Sequence, residues 1–276
     1  MNNSLKSVRF EFGDNWNKYS RLVNENIIWD ATSSLEKLMA PAKIEGKSFI
    51  DIGCGSGIHS MAAHKLKAKK IVAFDYDSKS VLTSKKLFQT FADTDINLKI
   101  HQGDVLDKNF ISTLGTFDIV YSWGVLHHTG DMWKAISNSL KLVNQDGIFA
   151  IAIYNNQGIK SDLWGIAKRL FCRAPRYIQG AMLVAGLFRF WLPTAMKDLF
   201  KGTPNKTWND YSKQRGMSPI YDLKDWMGGY PFETAKPKEI ILFMEKNSFF
   251  LVKGPNISKG HGCNEFVFQR MTKSTK

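Results

Sequence analysis

The chain has 276 residues, 43% of them hydrophobic, with a formal net charge of +13. That length holds one large domain, or a core with a sizeable insertion, and the composition excludes a disordered or fibrous chain. Three widely spaced cysteines (Cys54, Cys172, Cys263) exclude a disulfide framework or a cysteine zinc site and fit a reducing, cytoplasmic setting.

In chain order, residues 1–40 are mixed and aromatic, with Phe12, Trp16 and Tyr19 placed either as a lid over a site or as core packing. Met1–Phe10 lacks the apolar run of a signal peptide. A helix is predicted over Ser33–Met39, stopped near Pro41. Strand and helix signals then alternate. The strands are Ser48–Ile52, Lys70–Phe74, Leu98–His101, Phe117–Ser122 and Gly147–Tyr154, and the helices Ile58–Leu66, Ser78–Phe91 and Met132–Leu142. This alternation implies a doubly wound, mostly parallel sheet. It breaks after Tyr154. Between Gly158 and Arg215 eleven basic residues stand against three acidic ones, interleaved with tryptophan and phenylalanine. Residues 157–235 are therefore expected to form a helical insertion capping the site. Order returns with a helix at Pro237–Asn247 and two strands, Phe249–Val252 and Glu265–Arg270. The core is thus expected to comprise residues 41–156 and 236–276.

Asp51-Ile52-Gly53-Cys54-Gly55-Ser56-Gly57 follows a strand and opens a helix. Glycines let the backbone turn sharply and approach a ligand, and a helix N-terminus offers free N–H groups. Asp75 ends the second strand, where a carboxylate can accept both hydroxyls of a ribose. On the residues alone this is a nucleotide-type turn. It departs from the dinucleotide pattern because Ile58 follows Gly57, where no Gly-x-Gly-x-x-Gly is completed.

The run Phe49–Gly57 resembles motif I of the class I S-adenosylmethionine (SAM)-dependent methyltransferases, with Asp51 two residues before the first glycine. Phe74–Asp77 resembles their motif II, Gln102–Leu106 their adenine-reading segment, and Phe117–His128 the fourth strand and exit loop of the ubiquinone-biosynthesis type. Phe12–Trp16, Asp225–Glu233 and Cys263–Phe268 are similar to segments of a further bacterial methyltransferase group. The resemblance implies a Rossmann-like α/β fold with a seven-stranded sheet, and SAM as cofactor. It implies SAM contacts from Asp51, Gly53, Gly55, Ser56, Asp75, Tyr76, Asp104, Val105 and Trp123, with loop N–H groups around Gly53–Gly55 facing the methionine carboxylate.

For the acceptor, His127 and His128 follow the fourth strand on the ligand side of such a sheet. Either is a candidate general base, or a loop histidine that only packs. The pair lacks carboxylates at suitable spacing, so no metal is expected. Arg215, Asp225, Tyr230 and Glu233 are candidates for the acceptor pocket, or for a network tying cap to core. The expected reaction is methyl transfer to a small molecule, at oxygen, with an anionic acceptor in keeping with the net charge. Lipid-linked, glycan or RNA acceptors are the alternative, and a non-catalytic SAM-binding regulator is a third. No RNA-binding module is present in the sequence, which argues against nucleic acid. Ile178–Leu192 is too short and too charged to span a bilayer. It is expected to be the buried helix of the cap or a dimer interface, with contact to a lipid surface as the other reading.

Overall fold

A computed structural model describes residues 10–92, 96–211, 218–255 and 262–271. Two helices lead in. α1 (Phe12–Tyr19) runs through a 3-10 turn into α2 (Glu25–Met39). α2 starts eight residues earlier than the sequence predicted, because the Asn24 side chain accepts a hydrogen bond from the Ile27 N–H at 3.0 Å and caps it. Its buried residues Ile28, Ala31, Leu35 and Met39 recur at helical spacing and turn inward.

A seven-stranded sheet follows: β1 (Ser48–Ile52), β2 (Lys70–Asp75), β3 (Leu98–Gln102), β4 (Phe117–Trp123), β5 (Val143–Tyr154), β6 (Phe249–Lys253) and β7 (Cys263–Arg270). The spatial order is β3-β2-β1-β4-β5-β7-β6. β1 to β5 are parallel, and β7 runs antiparallel between β5 and β6. All five residues of β1 are buried, as in a strand covered on both faces, with Phe49, Ile50 and Ile52 supplying its apolar contacts. The crossovers are α3 (Ile58–Lys65), α4 (Ser78–Phe91), the short α5 (Lys108–Thr113), and α6 (Met132–Leu140). α5 was not predicted. Its six residues lack a clear apolar period, and it exists because Asp107 accepts from the N–H groups of Asn109 and Phe110. β5 starts earlier than expected. Asn144–Gly147 is a bulge inside the strand: pairing jumps from Phe117↔Val143 to Ile119↔Ile148, and Asp146 takes φ 58°.

One face of the sheet is covered by α2, α3 and α4, around Phe49, Ile71 and Ala150. The other is covered by α6 and α11 (Pro237–Lys246), around Ile50, Phe149 and Met244. Burying each large apolar side chain in these layers contributes about 1.5–3 kcal/mol. The chain between β5 and α11 holds α7 (Ile159–Arg173), α8 (Arg176–Phe200), the single turn α9 (Lys206–Asn209) and α10 (Pro219–Gly228). α10 packs on α1, with α7 and α8 against it. The expectation of a buried Ile178–Leu192 is corrected here. Within α8 only Gly186 and Asp198 are buried, and Val184 and Phe188 are 54% and 60% exposed.

Candidate active site

The strand order reverses between β1 and β4, and the parallel strands end together there. A ligand crevice in such sheets lies beyond the carboxyl ends at that switch point. A cavity of about 920 Å³ occupies the position.

The glycine loop forms its floor. Gly53, Gly55 and Gly57 take φ values of 74°, 55° and 82°, which side-chain-bearing residues rarely adopt. A Cβ on Gly53 would lie 2.3 Å from Val125 Cγ1, and one on Gly55 2.9 Å from the Trp16 indole. Trp16 of α1 therefore lies directly over the loop. The loop N–H groups depart from expectation. Those of Gly53 and Cys54 donate to the Phe74 carbonyl, at 2.8 and 3.1 Å, and that of Gly55 donates to Asp75 Oδ2 at 2.9 Å. They brace the loop against the end of β2.

Asp51, Gly53, Gly55, Ser56, Asp75, Tyr76, Asp104, Val105 and Trp123 all border the cavity. Asp51 is buried, and Ser60 Oγ donates to its Oδ2 at 2.6 Å. Burial, with the nearby Asp75 charge adding to it, pushes its carboxyl up to about 7. Asp75 Oδ1 accepts the Asp77 N–H at 2.9 Å, and Asp104 Oδ1 accepts the Leu106 N–H at 2.8 Å, so both carboxylates are held at fixed angles on the rim. Tyr76 is half exposed beside them. The Trp123 indole donates to Glu265 Oε1 at 2.8 Å.

The N-terminal segment closes the top. The Gly13 N–H donates to Asp77 Oδ2 at 2.9 Å, and Lys79 bridges to Asp14 at 2.7 Å. Phe10, Phe12 and Trp16 face the cavity, whereas Tyr19 is fully buried in the core.

The two histidines part company. His128 borders the cavity, and its Nδ1 is 2.7 Å from the Pro231 carbonyl oxygen. A carbonyl only accepts, so Nδ1 carries a proton there, and the neutral tautomer that fits has its lone pair on Nε2. Gly229 makes room for that ring: a Cβ there would sit 2.6 Å from His128 Cε1. His127 lies behind the wall with no exposed surface, its ring 4.2 Å from Tyr154 and 4.4 Å from His128. Neither of its ring nitrogens finds a hydrogen-bond partner among the described residues. Burial holds it well below the usual histidine range, so it stays neutral.

Of the acceptor candidates, Asp225 reaches the cavity. It is half-buried, accepts from Asn15 Nδ2 at 2.8 Å, and desolvation drives its carboxyl well above the usual range. Tyr230 and Glu233 lie outside the wall. The Tyr230 carbonyl accepts the Phe10 N–H, and Glu233 accepts the N–H groups of Gly130 and Met132, capping α6 from outside. Arg215 lies outside the described residues. Asp222, Trp226, Tyr154 and His59, none of them a predicted site residue, also line the cavity. Only the folding of α10 against α1 brings the first two there, and no local motif signals that. Behind Trp226 the buried Lys168 donates to the Trp226 carbonyl and lies over the Trp226, Phe232 and Tyr154 rings. Desolvation brings its ammonium down to about 7.

The cavity is acidic although the chain is basic. Glu11, Asp51, Asp75, Asp77, Asp104, Asp222 and Asp225 border it, and Lys79 is the only lysine or arginine among the described lining residues. Such a wall fits a donor that carries a sulfonium and an ammonium, as SAM does. It does not fit the anionic acceptor suggested by net charge. The basic residues lie elsewhere, and a dense set of exposed ones, Lys160, Arg169, Arg173, Arg176 and Arg189 among them, stands on the outside of the cap.

A parallel sheet of this order, a glycine loop after β1 and strand-end acids define the Rossmann-like fold of the class I methyltransferases. The methyltransferase domain model matches residues 43–200, more than half of the chain, and the chain belongs to that family. Ribosomal protein L11 methyltransferase from Macrococcus caseolyticus is 34% identical over 117 residues, which is 42% of this chain and 35% of that protein. Its counterpart from Thermotoga maritima is 36% identical over 28% of this chain and 27% of its own. The chain thus spans about a third of the length of these relatives. Among solved structures, magnesium protoporphyrin IX methyltransferase from Synechocystis with bound SAM has a TM-score of 0.56 at 14% identity, covering 98% of this chain and 100% of that one. PKMT2 from Rickettsia typhi in complex with AdoHcy has a TM-score of 0.54 at 15% identity, covering 87% and 52%. At those identities the likeness is one of fold.

Proposed function

We propose that this chain is a SAM-dependent methyltransferase that methylates a hydroxyl of a neutral or cationic small molecule. One observation carries the reading: a single cavity runs from the glycine loop and strand-end acids to His128, Asp225 and Trp226. About 920 Å³ is near the upper end of the usual range for ligand sites, room for a donor and a small acceptor together.

In this reading Asp75 and Asp104 hold the ribose and adenine edges, and Asp51 faces the cationic methionine end. SAM supplies an activated methyl when bound. What remains for the protein is alignment and a base. His128 Nε2, oriented by the Pro231 carbonyl, takes the hydroxyl proton. His127 packs the His128 ring from behind. Asp225, on the cavity wall, hydrogen-bonds a polar group of the acceptor, and Trp226 and Tyr154 give apolar cover. The resemblance to the ubiquinone-biosynthesis type supports a small-molecule acceptor.

Incubation with methyl-labelled SAM and fractionated small molecules, followed by mass identification of labelled product, tests this. A labelled compound with the methyl on oxygen is expected. Calorimetry that detects no SAM binding refutes the reading at its base, and label found only on macromolecules refutes the acceptor class.

A further inference from the structure

The cap hides its charge from the cavity and shows it outward. Every basic residue from Lys160 to Lys206 except Lys168 is exposed, and the only exposed acid in that stretch is Asp162. The other acid, Asp198, is buried and accepts from the Thr207 N–H and hydroxyl.

The same outer surface is apolar. α7 turns Lys168, Phe171 and Trp164 toward α10, where Trp164 meets the Trp226 ring at 4.4 Å. On the opposite side Ile159, Leu163, Ile166 and Leu170 recur every three or four residues, each 58% exposed or more. α8 repeats the arrangement. Gly186 sits against Met227 and Leu223 of α10, and Phe190 meets Trp226 at 4.8 Å. Tyr177, Val184 and Phe188 point the other way and are 76%, 54% and 60% exposed. Each helix therefore carries two apolar stripes, one packed on α10 and one turned away from it. Ordinary solvent-facing helices carry a polar stripe there. Around these outer stripes stand Arg169, Arg173, Arg176, Arg189 and Lys197, all exposed.

We propose that the outer faces of α7 and α8 form a docking surface for an anionic lipid bilayer, on which the protein lies without spanning it. Charge complementarity selects this occupant. A second copy docked face to face would bring two like-charged sets of cations together, whereas anionic headgroups neutralise them as the apolar side chains enter the acyl boundary. The arginine and lysine stems extend along apolar surface with their charges at headgroup level. No helix among the described residues is long and apolar enough to cross a membrane, which leaves the surface mode. α10 carries Asp222, Asp225 and Trp226 on the cavity wall and α7 and α8 on its outer side, so docking would hold the cavity one helix layer from the lipid.

Vesicle flotation with the full chain tests this without requiring turnover or a known acceptor. Vesicles of phosphatidylcholine containing phosphatidylglycerol should carry the protein upward, while phosphatidylcholine alone should bind it at least about tenfold less. Val184→Asp with Phe188→Asp, and separately Arg173→Glu with Arg176→Glu, should each weaken binding to the anionic vesicles about tenfold or more. All four positions are exposed, and an unchanged thermal transition shows that each variant is folded. Binding that ignores headgroup charge, or that survives both paired variants, overturns the proposal. So does a stable dimer, seen by sedimentation, that Val184→Asp with Phe188→Asp dissociates while the parent protein ignores both kinds of vesicle.

Discussion

The cofactor floor and the helical cap place their side chains by different means. On the floor, position is a property of the backbone. Asp51, Asp75 and Trp123 end three adjacent parallel strands, and sheet register fixes where they point. In the cap, position depends on side chains reaching across long stretches of chain: Asn15 to Asp225, Lys168 to Trp226, Cys172 to the Gly228 carbonyl. The first arrangement tolerates little change and serves one donor. The second can be rebuilt residue by residue without disturbing the sheet, as segments carried on a rigid scaffold can.

Gly53→Ala tests the backbone side of that contrast most severely. The new Cβ would meet Val125 at 2.3 Å, with φ at 74°. A left-handed conformation costs an L-residue about 1–2 kcal/mol even where there is space. Loss of measurable SAM binding by calorimetry is expected, together with a lower melting temperature. Retained affinity would mean that the floor is less rigid than its hydrogen bonds imply.

His128→Ala should come next in size. A positioned general base contributes about 10²–10⁴-fold, so kcat should fall by that factor while SAM affinity stays near that of the parent. His127→Leu is the matched control, since His127 uses neither ring nitrogen among the described residues. It should keep turnover and alter only the melting temperature. If His127→Leu is the inactive variant, the assignment within the pair is reversed.

A smaller effect should appear in pH dependence. Burial raises the native value of Asp51 to about 7, so the folded chain keeps a proton there that the unfolded chain has released above its ordinary value. Asp51 thus favours folding at low pH, and that contribution is lost as pH rises through 7. A cationic donor favours the ionised form, and its binding should release the proton. SAM affinity should therefore increase as pH rises through 7, by at most about tenfold per unit, and Asp51→Asn should flatten the profile. A profile that slopes the other way would remove Asp51 from the cationic end of the donor.

The same contrast explains what could be read in advance. Strand–loop–helix punctuation marks Asp51, Gly53, Gly55 and Asp75, because each does its work where a strand ends and local chemistry is visible. Val125 and Trp16, which crowd the loop, are invisible that way: one arrives from the next strand's exit and the other from a helix some forty residues upstream. Asp225 was legible as part of a dense polar segment. Its bond to Asn15 was not, since it connects residues 210 apart. Net charge alone is a poor guide to the acceptor because a sum over the chain does not say which face holds it. Seven acids line the cavity, and a cluster of exposed cations stands on the cap's outer surface.

Glu233 marks where the cavity wall stops, and its replacement should give the smallest effect. Its carboxylate accepts the Met132 N–H through both oxygens, at 3.2 and 3.1 Å, and the Gly130 N–H at 3.1 Å. Those donors lead into α6, which Asp131 also caps through the Lys134 N–H at 3.3 Å. Glu233→Ala removes one of two caps, so about 1 kcal/mol of stability should be lost. The Glu233 N–H remains on the His127 carbonyl, so the backbone path past the histidines is kept, and KM for the acceptor should not change. Denaturant titration and steady-state kinetics on the same preparation separate the two quantities. A raised KM with unchanged stability would place Glu233 in contact with the acceptor, and the boundary between wall and scaffold would then run one layer further from the sheet.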